Sequence, residues 1–303
     1  MGARLDGLCV GPFDRERKIA KMQNEIKDFW QVHPCGAELV GDLSDESRGE
    51  YEDFFERYDR YRYETEFHIL KNLDRIDFDG KRVLEIGLGQ GADAEQIELR
   101  GGIYSGIDLT AESVKRVKIR FSLQNLPFES IEQASALELP FADDSFDIVF
   151  SHGVLHHIPE IEKAQAEIAR VLRPGGELVV MLYAKWSLNY LLSIFALRRL
   201  GLLGMYFLRI KAGGIYGDHL ENARKSGIWN YLKMENFINV STDGPFNPYS
   251  KVYGDVEIAE DFAYFELIES HKEFMHAPPL KVKWLPLELQ LGWHLWAKMR
   301  PRK

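Results

Sequence analysis

The most chemically informative residues are three glycines at every second position, Gly87, Gly89 and Gly91, which follow the apolar run 83–86. A parallel strand that turns sharply into a helix needs glycine where its backbone closes on a ligand. Asp108 ends the next predicted strand, where a carboxylate can accept hydrogen bonds from both hydroxyls of a ribose. This pattern predicts a site for a nucleotide-like ligand.

A second group that could do chemistry consists of His152, His156 and His157, at and just beyond the end of the apolar run 146–151. A neutral imidazole at the end of a parallel strand can remove a proton from a hydroxyl, an amine or a carbon acid. We take His152 as the candidate for contact with a reacting substrate. His157 is a further catalytic candidate, although packing at the start of a helix is the alternative for His156 and His157.

Two more candidate proton acceptors, His219 and Glu221, stand two apart in a polar segment. The alternative is that they only begin a helix. No matched set of cysteines or acids accompanies any of the histidines, so the sequence predicts no metal site.

The composition is that of a globular protein, with 303 residues, 45% of them hydrophobic, and a net charge of -9. A net negative charge repels a phosphate backbone, so nucleic acid is not an expected partner. The two cysteines, Cys9 and Cys35, are too few for a disulfide framework, and no signal peptide is recognisable. We therefore expect a cytoplasmic protein.

Strands and helices alternate from residue 81 onward. Short apolar runs predict strands at 82–86, 103–109, 129–133, 146–151 and 177–183. The helical segments between them are 93–99, 111–125 and 161–172. This alternation predicts an α/β fold with a doubly wound parallel sheet.

The two ends of the chain add further elements. Apolar residues at helical spacing predict helices over 14–31 and 50–74. Runs at 237–243 and 292–299 predict a sixth and a seventh strand. The long stretch between these runs is rich in aromatic residues and proline, so it predicts inserted structure.

Five motifs occur in a fixed order along residues 80–183. They are residues 83–91, 106–108, 136–141, 146–151 and 170–176. In order, spacing and strand position they resemble the class I S-adenosylmethionine-dependent methyltransferases. The resemblance implies a Rossmann-like seven-stranded sheet in a domain over 80–303 and an N-terminal helical lid over 1–79. It also implies acceptor-side insertions at approximately 185–235 and 244–290, and S-adenosyl-L-methionine as the cofactor.

The same resemblance implies which residues bind the cofactor. Gly87, Gly89 and Gly91 would pass beneath its methionine and ribose portions. Glu85 would shape the same turn, and Asp108 would bind the ribose hydroxyls.

Other matched positions would surround the adenine and the sulfonium. Leu109 would flank the adenine, and Ala136 and Leu137 would lie at its edge. Many relatives have an aspartate before that alanine, whereas this chain has Ser135, so the usual contact with the adenine amine is left open. Ser151, at the end of the fourth strand, would face the sulfonium, as would the neighbouring histidine.

The predicted lid contributes two further candidates. Arg62 could bind the cofactor carboxylate with two hydrogen bonds, and Tyr63 could donate one. The alternative is that both side chains pack the helix onto the sheet.

Methyl transfer from a sulfonium is an in-line displacement on carbon that needs no metal, and the enzyme mainly supplies alignment and water exclusion. A general base is needed only if the acceptor carries a proton. The surplus apolar residues lie beyond the cofactor core, so we expect a small or lipid-like acceptor. An NAD-dependent oxidoreductase and a non-catalytic cofactor-binding or membrane-associated protein are the alternatives.

Residues 186–210 are strongly apolar and have three interpretations: core packing, a cover for an acceptor pocket, or peripheral contact with a membrane. Arg198 and Arg199 interrupt the run. Neither half then reaches the roughly 20 residues of a membrane-spanning helix, so we do not expect one.

Overall fold

A seven-stranded sheet forms the centre of the computed structural model, which describes residues 12–34, 36, 40, 41, 43 and 46–302. The strands are β1 (Arg82–Ile86), β2 (Ile103–Asp108), β3 (Ser130–Gln133), β4 (Phe146–His152), β5 (Leu172–Tyr183), β6 (Phe265–Glu273) and β7 (His294–Pro301). Their order across the sheet is β3-β2-β1-β4-β5-β7-β6. Strands β1 to β5 are parallel, and β7 is antiparallel to both of its neighbours.

Helices cover both faces of this sheet, which confirms the predicted α/β fold class. In chain order the helices are α1 (Pro12–Val32), α2 (Arg48–Thr65), α3 (His68–Leu73), α4 (Ala92–Leu99), α5 (Ala111–Gln124) and α6 (Ile161–Val171). A 3₁₀ turn at Leu155–His157 follows β4, and a π-helix at Asn189–Arg198 follows β5. The remaining helices are α7 (Arg199–Phe207), α8 (Gly214–Ser226), α9 (Ile228–Tyr231), α10 (Met234–Thr242), α11 (Asp255–Asp261) and α12 (Glu288–Leu291).

The alternation of side chains along the strands divides the core into two layers. Leu84 of β1 packs in the same cluster as Ile168 of α6. Val83, one residue earlier, packs on the opposite face with Ile97 of α4 and Val117 of α5. Two buried faces are what a central parallel sheet requires, and they fix the strand ends that surround the site.

The N-terminal helices agree with the sequence in part. Helix α1 confirms the helix predicted over 14–31. The single helix predicted over 50–74 is two helices, because Glu66 leaves the helical conformation at φ -118° and ψ 49°. The hydroxyl of Ser47 caps the first of them by accepting a hydrogen bond from the backbone N–H of Glu50. The two cysteines, Cys9 and Cys35, lie outside the residues that the structure describes.

The sixth strand differs from the prediction. Residues 237–243 belong largely to α10, in which Phe237, Ile238 and Ser241 are buried at helical spacing. A short apolar run does not distinguish a strand from a helix by its periodicity, so the prediction was wrong. The sixth strand is instead β6, inside the stretch 244–290 that the sequence assigned to an insertion. Strand β7 confirms the strand predicted at 292–299.

The apolar segment 186–210 also differs from the prediction. The π-helix and α7 join into one helix, Asn189–Phe207, with a mean hydropathy of 1.3 in its most apolar window. By length and composition it could cross a membrane, so Arg198 and Arg199 do not divide it as the sequence suggested. It is the one such helix in the part of the chain that the structure describes. Arg198 turns toward the domain and donates a hydrogen bond to the carbonyl of Ser241 over 2.5 Å.

Candidate active site

A cavity of about 400 Å³ opens at the carboxyl ends of the parallel strands. This volume lies in the range of roughly 300–1,000 Å³ that is typical of ligand sites. Residues of α1, α2 and the loops after β1, β2 and β4 line it. Open parallel sheets bind ligands at this edge, so the cavity is the candidate active site.

The turn after β1 forms one wall of the cavity. Gly87, Gly89 and Gly91 all have left-handed backbone conformations, with φ of 86°, 51° and 77°. A Cβ atom on Gly87 would lie 2.1 Å from a methyl carbon of Val154, so a neighbouring side chain requires glycine there. Gly87 and Gly89 line the cavity as predicted.

Gly91 has a different role from the predicted one. It does not line the cavity but precedes the first residue of α4. A Cβ atom at this position would meet Val117 at 3.0 Å and Arg120 at 3.2 Å. Glycine at 91 therefore lets α4 approach α5, and the predicted contact with the cofactor is corrected.

Asp108 presents a carboxylate to the cavity from the end of β2. One oxygen, Oδ2, accepts a hydrogen bond from the backbone N–H of Leu88 over 2.8 Å. The other, Oδ1, accepts from the backbone N–H and the hydroxyl of Thr110, each over 2.8 Å. Burial raises the pKa of Asp108, and these hydrogen bonds oppose the rise. The carboxylate is thus held in place by the same turn that carries the glycines.

The predicted adenine edge lies beside this carboxylate. Leu109, Ala136 and Leu137 all line the cavity, as does Ser135. The hydroxyl of Ser135 accepts a hydrogen bond from the backbone N–H of Leu137 over 3.2 Å. Serine at the position of the usual aspartate therefore stabilises the local turn.

Glu85 is a buried carboxyl group at the base of the glycine turn. Its Oε2 accepts a hydrogen bond from the hydroxyl of Tyr104 over 2.5 Å. Burial raises the pKa of Glu85 well above its ordinary value, and the nearby Asp93 adds to the rise. The residue lines the cavity, in agreement with its predicted place in the turn.

Of the two residues predicted on the lid, the structure brings only Arg62 to the cavity. Its Nη2 donates a hydrogen bond to Oδ2 of Asp93 over 2.6 Å, while its Nε is buried without a partner. The hydroxyl of Tyr63 donates to the backbone carbonyl of Ala92 over 3.1 Å. Tyr63 does not line the cavity, so its predicted role is corrected to packing, and Tyr58 takes the place at the wall.

His152 lines the cavity at the end of β4 and contacts Asp93. The distance from its Nδ1 to Oδ2 of Asp93 is 2.7 Å. Asp93 was not among the predicted site residues, because an acid in the first turn of a helix is common for dipole reasons alone.

The predicted role of Ser151 at the sulfonium is wrong. Its hydroxyl donates a hydrogen bond to the backbone carbonyl of Ile86 over 3.0 Å, and the residue is fully buried away from the cavity. Ser151 therefore joins β4 to β1, and His152 is the residue of this pair that lines the cavity.

His157 lines the cavity, whereas His156 does not. Nδ1 of His157 lies 2.8 Å from the backbone carbonyl of Tyr249, and its Nε2 lies 3.5 Å from Oδ2 of Asp243. The ring of His156 is fully buried against Tyr183, with 3.9 Å between the ring centroids. Burial lowers the pKa of His156 well below its ordinary value, so this residue packs as a neutral ring.

His219 and Glu221 lie on α8, away from the cavity. Nδ1 of His219 is 2.7 Å from the hydroxyl of Tyr231. Glu221 pairs with Lys225 one helical turn later, over 2.6 Å. Their predicted role as proton acceptors beside the substrate is therefore corrected. Among the described residues, no group of three or more histidine, cysteine, aspartate or glutamate side chains could hold a metal ion.

Helix α1, which belongs to the N-terminal helical lid predicted over 1–79, also lines the cavity, although none of its residues was among the predicted site residues. Its lining residues are Gln23, Asn24, Ile26, Lys27 and Trp30. The side-chain amide of Gln23 donates a hydrogen bond to Glu160, which follows the 3₁₀ turn. The amphipathic pattern of residues 14–31 was the available signal for this cover.

Comparison with known proteins identifies the domain that forms this cavity. Residues 84–180 match a family model described as a methyltransferase domain. Over 108 residues, the chain is 38% identical to a phthiotriol/phenolphthiotriol dimycocerosates methyltransferase of Mycobacterium tuberculosis, covering 35% of this chain and 39% of that protein. Over 104 residues, it is 38% identical to a fatty-acid O-methyltransferase of Mycolicibacterium smegmatis, covering 34% of this chain and 37% of that protein.

A solved structure is similar over a longer part of the chain. A protein from Pyrococcus horikoshii OT3 has a TM-score of 0.51 at 16% identity, covering 91% of this chain and 99% of that one. This likeness concerns the fold alone. The chain spans less than half the length of the curated relatives that it matches. Within that limit, residues 84–180 match a methyltransferase domain.

Proposed function

We propose that the protein transfers a methyl group from S-adenosyl-L-methionine to a small, lipid-like acceptor. The observation that carries this proposal is the cavity at the strand ends, where Gly87, Gly89, Asp108 and His152 meet within the matched domain. The match to the methyltransferase family disfavours an NAD-dependent oxidoreductase.

The residues present fit the cofactor. The carboxylate of Asp108 lines the cavity and is held by three hydrogen bonds from Leu88 and Thr110, which leaves Oδ2 as the oxygen that can accept from a ribose hydroxyl. Leu109 and Leu137 supply apolar surface for the adenine. The buried, unpartnered Nε of Arg62 is a donor for the cofactor carboxylate. When bound, the cofactor supplies an electrophilic methyl group.

The chain's own residues would align the acceptor and exclude water. His152 projects from β4 into the cavity, and His157 lies on the 3₁₀ turn that follows. Helix α1 covers the cavity with Ile26 and Trp30. Alignment in a site closed to water accounts for much of the rate enhancement in displacement reactions.

Two observations support a lipid-like acceptor. Apolar side chains of Ile26, Trp30, Val154 and Ile158 line the cavity, which suits an alkyl chain better than a polar metabolite. The two relatives described above are named as methyltransferases of phthiotriol and phenolphthiotriol dimycocerosates and of fatty acids.

Calorimetric titration with S-adenosylhomocysteine and with NAD tests the cofactor. We expect the first to bind and the second not to bind.

Incubation of cell extracts with isotopically labelled methyl donor, with products read by mass, tests the acceptor. We expect label in the lipid fraction, and label chiefly in protein or nucleic acid would contradict the proposal. Cofactor binding without any labelled product would favour the non-catalytic alternative.

We further propose that residues 186–210 hold the protein at the surface of an anionic membrane, with the protein otherwise in the cytoplasm. One face of the helix Asn189–Phe207 packs on the domain through the buried Ile194 and Leu202. Its other face exposes Phe195 at 53% and Leu200 at 66%. An apolar face fixed to a folded domain suits a helix that lies in the membrane interface rather than one that crosses it.

Charge complementarity selects an anionic surface. Arg199 lies on this helix, with its guanidinium 5.3 Å from the ring centroid of Phe195, and Arg209 and Lys211 are exposed just after it. Basic residues beside an apolar face bind acidic headgroups.

Flotation with vesicles of phosphatidylglycerol and phosphatidylcholine tests this contact. Binding should fall when Phe195 and Leu200 are both replaced by serine, and it should be weaker on pure phosphatidylcholine. Phe128→Ser, at an exposed phenylalanine between α5 and β3, is the matched control. Equal flotation of both variants, or no flotation of the wild type, would contradict the membrane contact.

A further inference from the structure

We propose that Asp93 and Arg62 are positioning residues that fix His152 as a general base, so that the acceptor nucleophile is a hydroxyl or amine that loses its proton during methyl transfer. This inference rests on the proposed function and names the acceptor group more closely. It gives a positioning role to Asp93, a residue that no sequence motif indicated.

The three side chains meet at one oxygen atom. Oδ2 of Asp93 lies 2.6 Å from Nη2 of Arg62 and 2.7 Å from Nδ1 of His152. The side chains of Asp93 and His152 are 6% and 4% exposed, and that of Arg62 is 15% exposed. A buried, charge-assisted arrangement of this kind restricts the rotation of the imidazole.

The contacts assign the tautomer of His152. An ionised carboxylate can only accept hydrogen bonds, so the close contact with Asp93 requires the proton on Nδ1. Nη2 of Arg62 also lies 2.9 Å from Nδ1. If Nδ1 carried a lone pair and accepted from Arg62, that lone pair would also face Oδ2 of Asp93, and the two would repel each other. With the proton on Nδ1, the lone pair of the neutral ring is on Nε2.

Burial raises the pKa of Asp93, but the Arg62 guanidinium and His152 outweigh burial and hold this pKa below its ordinary value. Asp93 is therefore ionised at neutral pH, as the tautomer argument requires.

Nε2 of His152 is available to a substrate. It has no hydrogen-bond partner among residues 46–302, and the imidazole packs on the indole of Trp296 with 5.0 Å between the ring centroids. His152 is the last residue of β4 and lines the cavity, so a free lone pair on Nε2 could accept a proton there. A base oriented by a third group through its other nitrogen is the arrangement that catalytic triads use.

The groups that face His152 from other elements are Asp93 of α4, Arg62 of α2, His294 of β7, His68 of α3 and His156 of the 3₁₀ turn. Burial lowers the pKa of His294 and of His156 well below the ordinary value, so these two neighbours are neutral. The carboxylate of Asp93 is the group that stabilises an imidazolium when a proton arrives.

The proposed step balances. The O–H or N–H bond of the acceptor breaks, and its proton forms an N–H bond with Nε2 of His152. The electron pair of the acceptor atom forms the new bond to the methyl carbon. The bond between that carbon and sulfur breaks with its electron pair remaining on sulfur. A carboxylate acceptor has no proton to lose, so this site favours a hydroxyl or amine acceptor over a free fatty acid.

Long-range ¹H–¹⁵N spectra of the histidine rings test the positioning directly. We expect the His152 signals, assigned by their loss in His152→Gln, to show the Nδ1–H tautomer in the wild type. Asp93→Asn should shift them toward the Nε2–H tautomer, because the amide can donate to Nδ1. Glu98→Gln removes an acid of the same helix that is not in contact with His152 and should leave the spectrum unchanged. An Nε2–H tautomer in the wild type would overturn the proposal.

The chemical consequence is tested on a total lipid extract with saturating labelled methyl donor. We expect methyl ethers or N-methyl products, reduced about 100-fold or more in Asp93→Asn, since general base catalysis contributes roughly 10² to 10⁴-fold. Asp93→Glu should recover part of the rate, and the activity of Asp93→Asn should rise at higher pH. Products that are only methyl esters would overturn the base role. An absence of any product would count against the proposed function instead, while the spectra still decide the tautomer.

Discussion

The indole of Trp30 on α1 meets the imidazole of His157 edge to face, with 5.1 Å between the ring centroids. Both residues line the cavity, so this contact joins the cover to the 3₁₀ turn after β4. Backbone contact between α1 and the sheet helices is sparse, which makes such side-chain contacts important for holding the cover closed.

Removal of this contact should weaken cofactor binding. An aromatic pair is worth about 0.5–1.5 kcal/mol beyond its buried area, so Trp30→Ala should weaken S-adenosylhomocysteine roughly 3- to 10-fold in calorimetric titration. Trp284→Ala removes a tryptophan that is 77% exposed and outside the cavity, so it serves as the control. Equal affinity of Trp30→Ala and the wild type would show that α1 does not cover the bound cofactor.

A second prediction concerns Asp108. Hydrogen bonds to a charged group contribute about 1.5–3 kcal/mol, so Asp108→Asn should weaken S-adenosylhomocysteine by roughly 10- to 150-fold. Glu132→Gln changes an exposed acid on the neighbouring strand β3 and should leave the affinity unchanged. If Asp108→Asn binds S-adenosylhomocysteine as tightly as the wild type, the carboxylate only stabilises the turn, where it accepts hydrogen bonds from Leu88 and Thr110.

The sequence predicted the candidate site best where the glycine turn and the carboxylate that would bind the ligand follow consecutive strands. Gly87, Gly89 and Asp108 were predicted because the βα turn alone requires them. Asp93 was not, because its importance comes from Arg62 and His152, which the fold brings to it from other elements.

The errors have equally specific causes. Ser151 was placed in the cavity, whereas its hydroxyl donates to the carbonyl of Ile86 on the neighbouring strand, and Tyr63 was placed there, whereas its hydroxyl donates to the carbonyl of Ala92. The sixth strand was placed on the apolar run 237–243, although β6 itself exposes residues such as Ile268 and Glu269 and has little apolar alternation. An edge strand of this kind is specified by its pairing with β7, which the sequence does not display.

A third prediction concerns stability at acidic pH. Burial, with the smaller influence of His152, lowers the pKa of His68 from 6.5 to about 3. Between these two values the unfolded chain binds more protons than the folded chain. The free energy of unfolding should therefore fall as the pH drops below about 6.5, by up to about 1.4 kcal/mol per pH unit. Urea unfolding at about pH 7.5 and about pH 5 measures this loss.

The variant His68→Gln separates this histidine from other acid-sensitive groups. Glutamine can still bond to His294, whose Nδ1 lies 2.9 Å from Nε2 of His68, but it does not titrate. The loss of stability between the two pH values should be smaller in His68→Gln than in the wild type. His33→Gln, at a less buried histidine just beyond α1, should keep the full loss. An unchanged pH dependence in His68→Gln would show that other groups cause it.

A fourth prediction separates close packing from backbone strain in the glycine turn. Gly87 and Gly175 have similar left-handed conformations, with φ of 86° and 81°. A Cβ atom on Gly87 would overlap Val154, whereas one on Gly175 would have no atom within 4 Å.

Gly175→Ala should therefore cost only the strain of the left-handed conformation, about 1–2 kcal/mol in urea unfolding. Gly87→Ala should cost more, since overpacking adds typically 1–3 kcal/mol, and it should also weaken S-adenosylhomocysteine. The double variant Gly87→Ala with Val154→Ala should recover part of the difference, because it removes the methyl carbon at 2.1 Å and leaves only Cβ of residue 154, at 2.9 Å. Equal losses in Gly87→Ala and Gly175→Ala would mean that Val154 moves aside freely and that only the backbone conformation requires glycine in the turn.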